Sequence, residues 1–327
     1  MNSLGASICR LAGAVASSGR QGRKLSILMY HRVLPGPDPL RPDEFDRQSF
    51  RLQMEVLSDC FNVLPLGRAV ELLRNGTLPP RAVSITFDDG YADNATIALP
   101  ILLDLDLTAT FFVTTGFLDG GRMWNDSVIE AIRAAECGVL DLSDSGLGKF
   151  ELNSTDQRLT AISTLLAKLK YQPISARDDS VARLVSIVGK HLPNDLMMTS
   201  DQVRDLADAG MTIGAHTVQH PILKNLSDED AQYEIRKSRE MLEQITGSPV
   251  DQFAYPNGRP NMDYDRRDVE LLRGLGFGSA VSTAWGVCAR DSDIRQLPRF
   301  TPWDRTRGRF ALRMLHNYSR TSPDTVR

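Results

Sequence analysis

Two adjacent carboxylates, Asp88 and Asp89, stand before Gly90 in the segment TFDDG, directly after an apolar run. Neighbouring residues of an extended chain point to opposite sides of it. One carboxylate of such a pair can therefore bind a metal ion while the other stays free to accept a proton. The alternative interpretation is a plain turn, because Asp and Gly are common turn residues.

Two of the five histidines, His216 and His220, stand four residues apart in the segment HTVQHP. This spacing can bring both imidazoles to one side of a turn, as in other two-histidine metal sites. The alternative is a pair of core or surface histidines without a ligand. With one Asp of TFDDG, the pair makes three protein ligands with open positions, which is typical of a catalytic metal site. This donor set indicates Zn²⁺, with Co²⁺, Mn²⁺, Fe²⁺ and Ni²⁺ as alternatives.

A third segment, AYPNG at residues 254–258, ends an apolar run in a sharp turn. Such a turn can present a backbone N–H to the oxyanion that develops during acyl transfer. Without the other two segments it would indicate no more than a turn.

Each of these segments follows a run that predicts a β-strand, because the run is apolar and rich in β-branched or aromatic residues. Helix-like spacing lies between several of the runs, and this alternation favours a parallel sheet or barrel. In such folds the chemistry gathers at the carboxyl ends of the strands. The predicted strands are residues 25–30, 82–87, 108–113, 211–215, 252–255 and 278–282.

One connection interrupts the alternation. From Val113 to Met211 the chain is far longer than a usual link between a strand and a helix. We therefore expect a helical insertion at about 118–195, which acts either as a lid or as padding. Trp124 near its start could stack on a ring of the substrate or simply staple the insertion helix to the core. The helix-like stretches of the insertion lie near 124–136, 155–170 and 178–191.

The chain has 327 residues, 42% of them apolar and 24% charged, which suits one globular domain with an insertion. Its net charge of −3 gives no indication of a nucleic-acid partner. No stretch approaches the ~18 consecutive apolar residues of a transmembrane segment, and the apolar run at 11–16 is too short for a signal peptide. We expect a cytoplasmic protein, with membrane association left open. The expected parts are a flexible or surface-lying leader (1–24), the main domain with its insertion (25–310) and a C-terminal tail (311–327).

The order TFDDG, HTVQHP and AYPNG resembles the polysaccharide deacetylases with a NodB-homology domain, also called carbohydrate esterase family four. The segment LMYHRV at 28–33 also resembles the start of many members. The resemblance extends from residue 25 to about residue 300, without the insertion. It implies an α/β fold, a distorted and incomplete (β/α) barrel, which agrees with the alternation of strands and helices.

The resemblance also implies roles for individual residues. Asp88 would be the general base. Asp89, His216 and His220 would be the metal ligands. The backbone N–H of Tyr255 would help to form the oxyanion hole.

Two departures from the family pattern leave two roles to fill. Family members often have an Arg that orients the base, and this chain has Ala254 at that position. Members also often have a late Leu-x-His motif whose histidine is the general acid. The corresponding segment of this chain is LPRF at 297–300, which contains no histidine. We expect Arg299 to orient Asp88 and His31 to act as the acid. The alternative for His31 is simple packing.

The expected function is a metal-dependent hydrolase that removes an N-acetyl or other N-acyl group from an amino-sugar polysaccharide or its precursor. The expected partner is thus a carbohydrate. Two alternatives remain open: a deformylase or amidase acting on a lipid-linked or small-molecule sugar, and a non-catalytic carbohydrate-binding relative. The intact Asp88 argues against the non-catalytic relative, whereas the loss of the usual Arg and His argues mildly for it.

Overall fold

A computed structural model of the protein describes residues 3–19, 22–320 and 323–326. The rest of the expected leader and tail, 1–2, 20–21, 321–322 and 327, lies outside the described residues. The chain divides into two compact units. We call the larger one the barrel unit and the smaller one the insertion unit. The barrel unit comprises residues 1–36, 44–118 and 198–327, and the insertion unit comprises residues 37–43 and 119–197.

Seven parallel strands form the sheet of the barrel unit, and they pair with one another in chain order. The sheet almost closes on itself at Phe300. The Phe300 N–H donates to Ile27 O at 2.8 Å, and Phe300 O accepts from Met29 N at 3.0 Å. The strands are β1 (Leu25–Tyr30), β2 (Ala82–Phe87), β3 (Thr110–Val113), β4 (Thr212–Ala215), β5 (Gln252–Ala254), β6 (Ser279–Trp285) and β7 (Leu297–Arg299).

The register of the ladder brings the carboxyl ends of these strands to one rim. Tyr30 pairs with Phe87 at the ends of β1 and β2, and Val113 pairs with Ala215 at the ends of β3 and β4. The residues that follow each strand therefore lie on the same rim, which is where a parallel barrel gathers its chemistry.

The predicted incomplete (β/α) barrel is confirmed by this sheet. Strands β1 to β3 are buried along their whole length, as expected where helices cover a parallel sheet. This burial explains why continuous apolar runs identified the strands. Strand β7 was not predicted, because three residues that include Pro298 make no run that sequence patterns can identify.

Eleven α-helices lie among the described residues, and several begin at a side-chain cap. Helix α2, for example, begins at a capping box in which Asp46 accepts from Ser49 N at 2.7 Å. The helices are α1 (Ser3–Ala16), α2 (Arg47–Cys60), α3 (Leu66–Asn75), α4 (Leu99–Asp104), α5 (Trp124–Ala134), α6 (Thr155–Leu169), α7 (Ile174–Val188), α8 (Ser200–Asp208), α9 (Asp228–Thr246), α10 (Arg266–Gly274) and α11 (Arg307–Asn317).

Shorter elements complete the fold. A π-helical turn, Asn94–Ala98, leads into α4, and the strand Asn62–Val63 pairs with β2. The remaining short strands pair as Ser18–Gly19 with Gly22–Arg23, Val33–Leu34 with Phe45–Asp46, and Val139–Leu142 with Gly148–Glu151. Short 3₁₀ turns occupy Thr115–Phe117, Ser143–Ser145 and Leu223–Asn225.

The insertion unit has an apolar core of its own, formed by α5, α6, α7 and the hairpin of residues 139–151. Trp124 packs against this core, and the Arg177 guanidinium lies 5.1 Å from the centre of its ring. These contacts hold Trp124 within the insertion unit.

The described part of the N-terminal leader forms a helix and is not a flexible segment. Residues Ser3–Ala16 form α1, which packs against α2 and α11 and buries Cys9. The sequence did not predict this helix, which contains Gly5 and Gly13, residues of low helix propensity. The C-terminal boundary at 310 is wrong, since it falls inside α11, which buries Met314 and Asn317.

None of the helices in the described part of the chain is long and apolar enough to span a membrane.

Candidate active site

Asp88, Asp89 and Gly90 make a tight turn at the carboxyl end of β2. The Asp88 N–H donates to Tyr30 O at 2.9 Å, and the Thr114 N–H donates to Asp89 O at 3.2 Å. Asp89 has φ of +75° and Gly90 has φ of +88°. A Cβ at Gly90 would lie 3.0 Å from the Val113 side chain. This position therefore favours glycine both by conformation and by space.

The Arg299 guanidinium binds the Asp88 carboxylate at two points. Nη1 and Nη2 each lie 2.6 Å from one of its oxygens, and both side chains are buried. Arg299 is itself fixed by donation to Ser282 O at 3.0 Å and to Thr86 Oγ1 at 3.2 Å. A buried two-point pair fixes the direction of a carboxylate.

The structure brings Asp89, His216 and His220 together. The Nε2 atoms of both histidines lie 3.4 Å from Asp89 Oδ1, and one ligand atom from each residue lies within 4.8 Å of the other two. The His216 Nδ1 atom is 2.7 Å from Ala254 O, so this ring is oriented through the end of β5. A second hydrogen bond of this kind commonly fixes the tautomer of a metal-binding histidine.

The carboxyl groups of this cluster are held in the ionised form. Burial raises the pKa of Asp88, but the Arg299 guanidinium outweighs burial, so the pKa of Asp88 lies below its usual value. Burial likewise raises the pKa of Asp89, and the hydrogen bond from His216 with the nearby histidines brings it well below its usual value.

The pKa values of the two imidazoles shift in opposite directions. Burial lowers the pKa of His220 to about 4, which leaves it neutral and able to bind a metal at neutral pH. Burial also lowers the pKa of His216, but its hydrogen bond to Asp89 and the charge of Asp88 raise it above the usual value. A metal ion at this position would compete with the proton on His216.

Glu234 of α9 holds the loop that carries the histidines. Its Oε2 atom accepts from Val218 N at 2.7 Å and from Gln219 N at 2.9 Å. Burial raises the pKa of this carboxyl, although the two N–H groups oppose that effect. Sequence reasoning did not identify Glu234. The signal was present, because a carboxylate stands on the otherwise buried side of α9.

His31 follows β1 on the same rim. Because Tyr30 pairs with Phe87 at the ends of β1 and β2, His31 directly follows β1 where Asp88 directly follows β2. The backbone of His31 is fixed by Asn94, whose Nδ2 donates to His31 O at 2.8 Å. Asp93 fixes the next residues of the loop by accepting from the N–H of Val33 at 2.9 Å.

Tyr255 does not have the role that the sequence indicated. Its backbone N–H donates to Val281 O at 3.2 Å, which extends the ladder between β5 and β6. Its ring is fully buried, stacks on Tyr264 at 3.8 Å between centroids, and its hydroxyl donates to Arg295 O at 3.0 Å. The expected oxyanion donor is thus already paired within the sheet.

The turn after Tyr255 offers another donor. Pro256 has no N–H, so the next one belongs to Asn257, which has φ of +57° and is half-buried. Within the described part of the chain, no acceptor is bonded to the Asn257 N–H. Gly258 closes the turn with φ of +67°, and a Cβ there would lie 2.9 Å from Tyr255 O.

Comparisons with known proteins show which family this chain resembles in sequence and in fold. A family model described as polysaccharide deacetylase matches residues 75–140 and 149–278, which together exceed half of the chain. The relative named "Putative polysaccharide deacetylase YxkH" of Bacillus subtilis (strain 168) is 21% identical over 278 residues, which are 84% of this chain and 70% of that protein.

Two solved structures share the fold. The Streptococcus pyogenes deacetylase PplD, in complex with acetate, has a TM-score of 0.60 and 20% identity over 90% of this chain and 99% of its own. IcaB from Ammonifex degensii has a TM-score of 0.60 and 19% identity over 90% of this chain and 98% of its own. The match to the family model, together with this shared fold, shows that the chain belongs to the polysaccharide deacetylase family, hydrolases that act on carbon–nitrogen bonds other than peptide bonds.

Proposed function

We propose that this protein removes N-acetyl, or other N-acyl, groups from an amino-sugar polysaccharide or its precursor, with a divalent metal ion held by Asp89, His216 and His220. The observation that carries the proposal is the cluster of these three ligands beside the buried Asp88–Arg299 pair. A ligand set and a separately oriented carboxylate are the two components that metal-assisted hydrolysis needs.

The three residues fit such an ion. Two imidazole nitrogens and one carboxylate oxygen converge, and His216 is oriented by its other ring nitrogen. The set suits Zn²⁺, and Co²⁺, Mn²⁺, Fe²⁺ and Ni²⁺ also accept these ligands. A divalent ion bound there would polarise the amide carbonyl and lower the pKa of water to about 7.

Asp88 is the proposed general base. Arg299 holds the carboxylate ionised and in one orientation by binding both of its oxygens. Each oxygen keeps a second lone pair, which can accept the proton of the attacking water. Asp88 and Asp89 are adjacent in the chain, so the proton acceptor lies beside the ligand cluster. Arg299 takes the place of the arginine that is absent at Ala254.

The oxyanion and the leaving amine need two further groups. We assign the oxyanion donor to the Asn257 N–H, in place of Tyr255, because it is the first N–H of the turn without an acceptor. We assign the general acid to His31, which follows β1 on the same rim as both aspartates and whose backbone is fixed by Asn94. Donation of a proton from His31 would allow the amine to leave in neutral form.

The experiment is a screen of acetylated glycans, namely chitin oligosaccharides, peptidoglycan fragments and poly-N-acetylglucosamine, for release of acetate by the purified protein. We expect release from at least one of them, loss of the activity with a chelator, and recovery on adding Zn²⁺ or Co²⁺. Release of formate from a formylated amino sugar in place of acetate would indicate the deformylase alternative. Binding of glycans without any acyl release, at full metal occupancy, would indicate a carbohydrate-binding relative.

A further inference from the structure

Helix α1 is apolar on its outer side as well as on the side that packs against the barrel unit. The inner side buries Cys9 and Gly13. On the outer side, Ile8, Leu11 and Val15 are 61%, 72% and 71% exposed. These three residues form one stripe along the helix, and a helix that is apolar on both sides needs a second apolar environment.

Helix α11 extends this surface. It packs beside α1, and a Cβ at Gly13 would lie 3.5 Å from the Leu315 side chain. Two tryptophans lie against α11, with Arg313 4.1 Å from the Trp303 ring centre and Arg320 3.9 Å from that of Trp285. Among the described residues, six of the twelve exposed large apolar side chains belong to this region, which we call the basic apolar face: Ile8, Leu11, Val15, Trp285, Trp303 and Leu312.

Two chain segments of this region carry only positive charges. Segments 1–24 and 305–320 together contain nine Lys or Arg residues and no Asp or Glu, although the whole chain has a net charge of −3. Two of these cations are paired with acids of neighbouring segments, Arg307 with Glu55 and Arg313 with Asp304. Arg309 is exposed on α11 and has no ion pair with the described residues.

We propose that the basic apolar face binds the surface of a bilayer that contains anionic phospholipids. Aliphatic side chains on a surface helix insert at the boundary between headgroups and acyl chains, while arginines contact the lipid phosphates. Trp303 suits this boundary, because an indole has an apolar body and a polar N–H. A symmetric contact with a second copy is the less favourable occupant, because it would place the same basic region against itself.

The test is cosedimentation of the full-length protein with vesicles of phosphatidylcholine, with and without phosphatidylglycerol. We expect binding to the vesicles with phosphatidylglycerol, and release at high salt because screening weakens surface charge attraction. The combined variant Ile8→Gln, Leu11→Gln, Val15→Gln should bind more than about tenfold more weakly, since it keeps helix propensity but removes the apolar stripe. Arg309→Glu should bind at least about fivefold more weakly.

Matched variants elsewhere on the surface serve as controls. Leu103→Gln removes an exposed apolar side chain of α4, and Arg183→Glu makes the same charge change on α7. Both should bind as the unmodified protein does.

Three outcomes would overturn the proposal: no binding of the unmodified protein to phosphatidylglycerol, equal binding by the variants and the controls, or a lipid-free dimer that the triple variant converts to a monomer. The dimer would assign the face to self-association. If the melting curve shows that the triple variant does not fold, the proposal is tested by the vesicle binding of Arg309→Glu compared with that of Arg183→Glu.

Discussion

The paired aspartates show how two neighbouring side chains of one type acquire different tasks. Asp88 is fixed by Arg299, whereas Asp89 turns toward two imidazoles through a backbone with φ of +75°. Arg299 thus orients Asp88, the proposed base. Asp89, the proposed metal ligand, faces the ring nitrogens of His216 and His220. The two tasks are separated by direction, although the residues are adjacent.

Replacement of Asp88 by Asn should separate metal binding from proton transfer. Asp88→Asn keeps the shape of the side chain but cannot accept the proton of the attacking water. We expect turnover to fall roughly 10²–10⁴-fold, the usual contribution of a general base. The measurement is acetate release under saturating substrate. A loss of less than about tenfold would mean that Asp88 is not the base.

His31→Gln tests the proposed acid through its dependence on the leaving group. Turnover on an N-acetyl substrate should fall, because an amine needs a proton to leave. Turnover on an activated aryl acetate should fall much less, since an aryloxide leaves without one. Equal losses on both substrates would mean that His31 shapes the site and that the acid lies elsewhere.

Among single residues, the sequence identified those whose type limits their chemistry. Asp88, Asp89, His216, His220 and Arg299 were all predicted, and the structure brings them to one rim. The prediction for Tyr255 was wrong because it concerned a backbone N–H. Whether such a group is free depends on how far the β5–β6 ladder extends, and residue types do not show this.

At the scale of secondary-structure elements, helix α9 connects packing to the site. Ala231, Ile235 and Leu242 anchor it to the barrel unit, and Glu234 projects from the same side to the N–H groups of Val218 and Gln219. The histidine loop is thereby held between α9 and the turn after β3, where Gly116 N donates to Val218 O at 2.8 Å. A charged residue on the buried side of a helix was the sequence signal for this contact.

Glu234→Ala should weaken metal binding without removing a ligand. The loop would lose two hydrogen bonds, and loss of a group that supports metal ligands typically costs 10–100-fold in affinity. The measurement is competition for Zn²⁺ with a chromophoric chelator. Glu240→Ala on the same helix is the control, because Glu240 is exposed and pairs with Arg236 at the surface. Equal affinities in the two variants would show that the loop needs no support from α9.

At the scale of the whole molecule, the barrel was predictable and the ends of the chain were not. Buried parallel strands such as Ala82–Phe87 have continuous apolar sequences, which makes them easy to locate. Helix α1 contains Gly5 and Gly13, whose low helix propensity made the helix hard to predict. The helical insertion was expected from the length of one connection. Residues 37–43 also belong to the insertion unit, but nothing in their sequence or in the length of their loop predicted this.

The reactivity of the four thiols tests the placement of α1. Cys9, Cys60 and Cys288 are buried, and Cys137 is exposed. Burial also raises the pKa of Cys60 to about 12, so little reactive thiolate forms there. We expect Ellman's reagent to modify one thiol of the native protein rapidly and four in denaturant, with the rapid reaction absent in Cys137→Ser. Rapid reaction at Cys9 would mean that α1 is detached from the barrel unit.

The central claim is that Asp89, His216 and His220 hold a metal ion that Asp88 does not bind. The direct measurement is metal bound per chain, by elemental mass spectrometry, for the unmodified protein, Asp88→Asn and His216→Ala after identical purification. We predict about one transition-metal ion per chain in the first two proteins and almost none in His216→Ala. Full occupancy in His216→Ala, or loss of the metal from Asp88→Asn in a folded protein, would contradict the account.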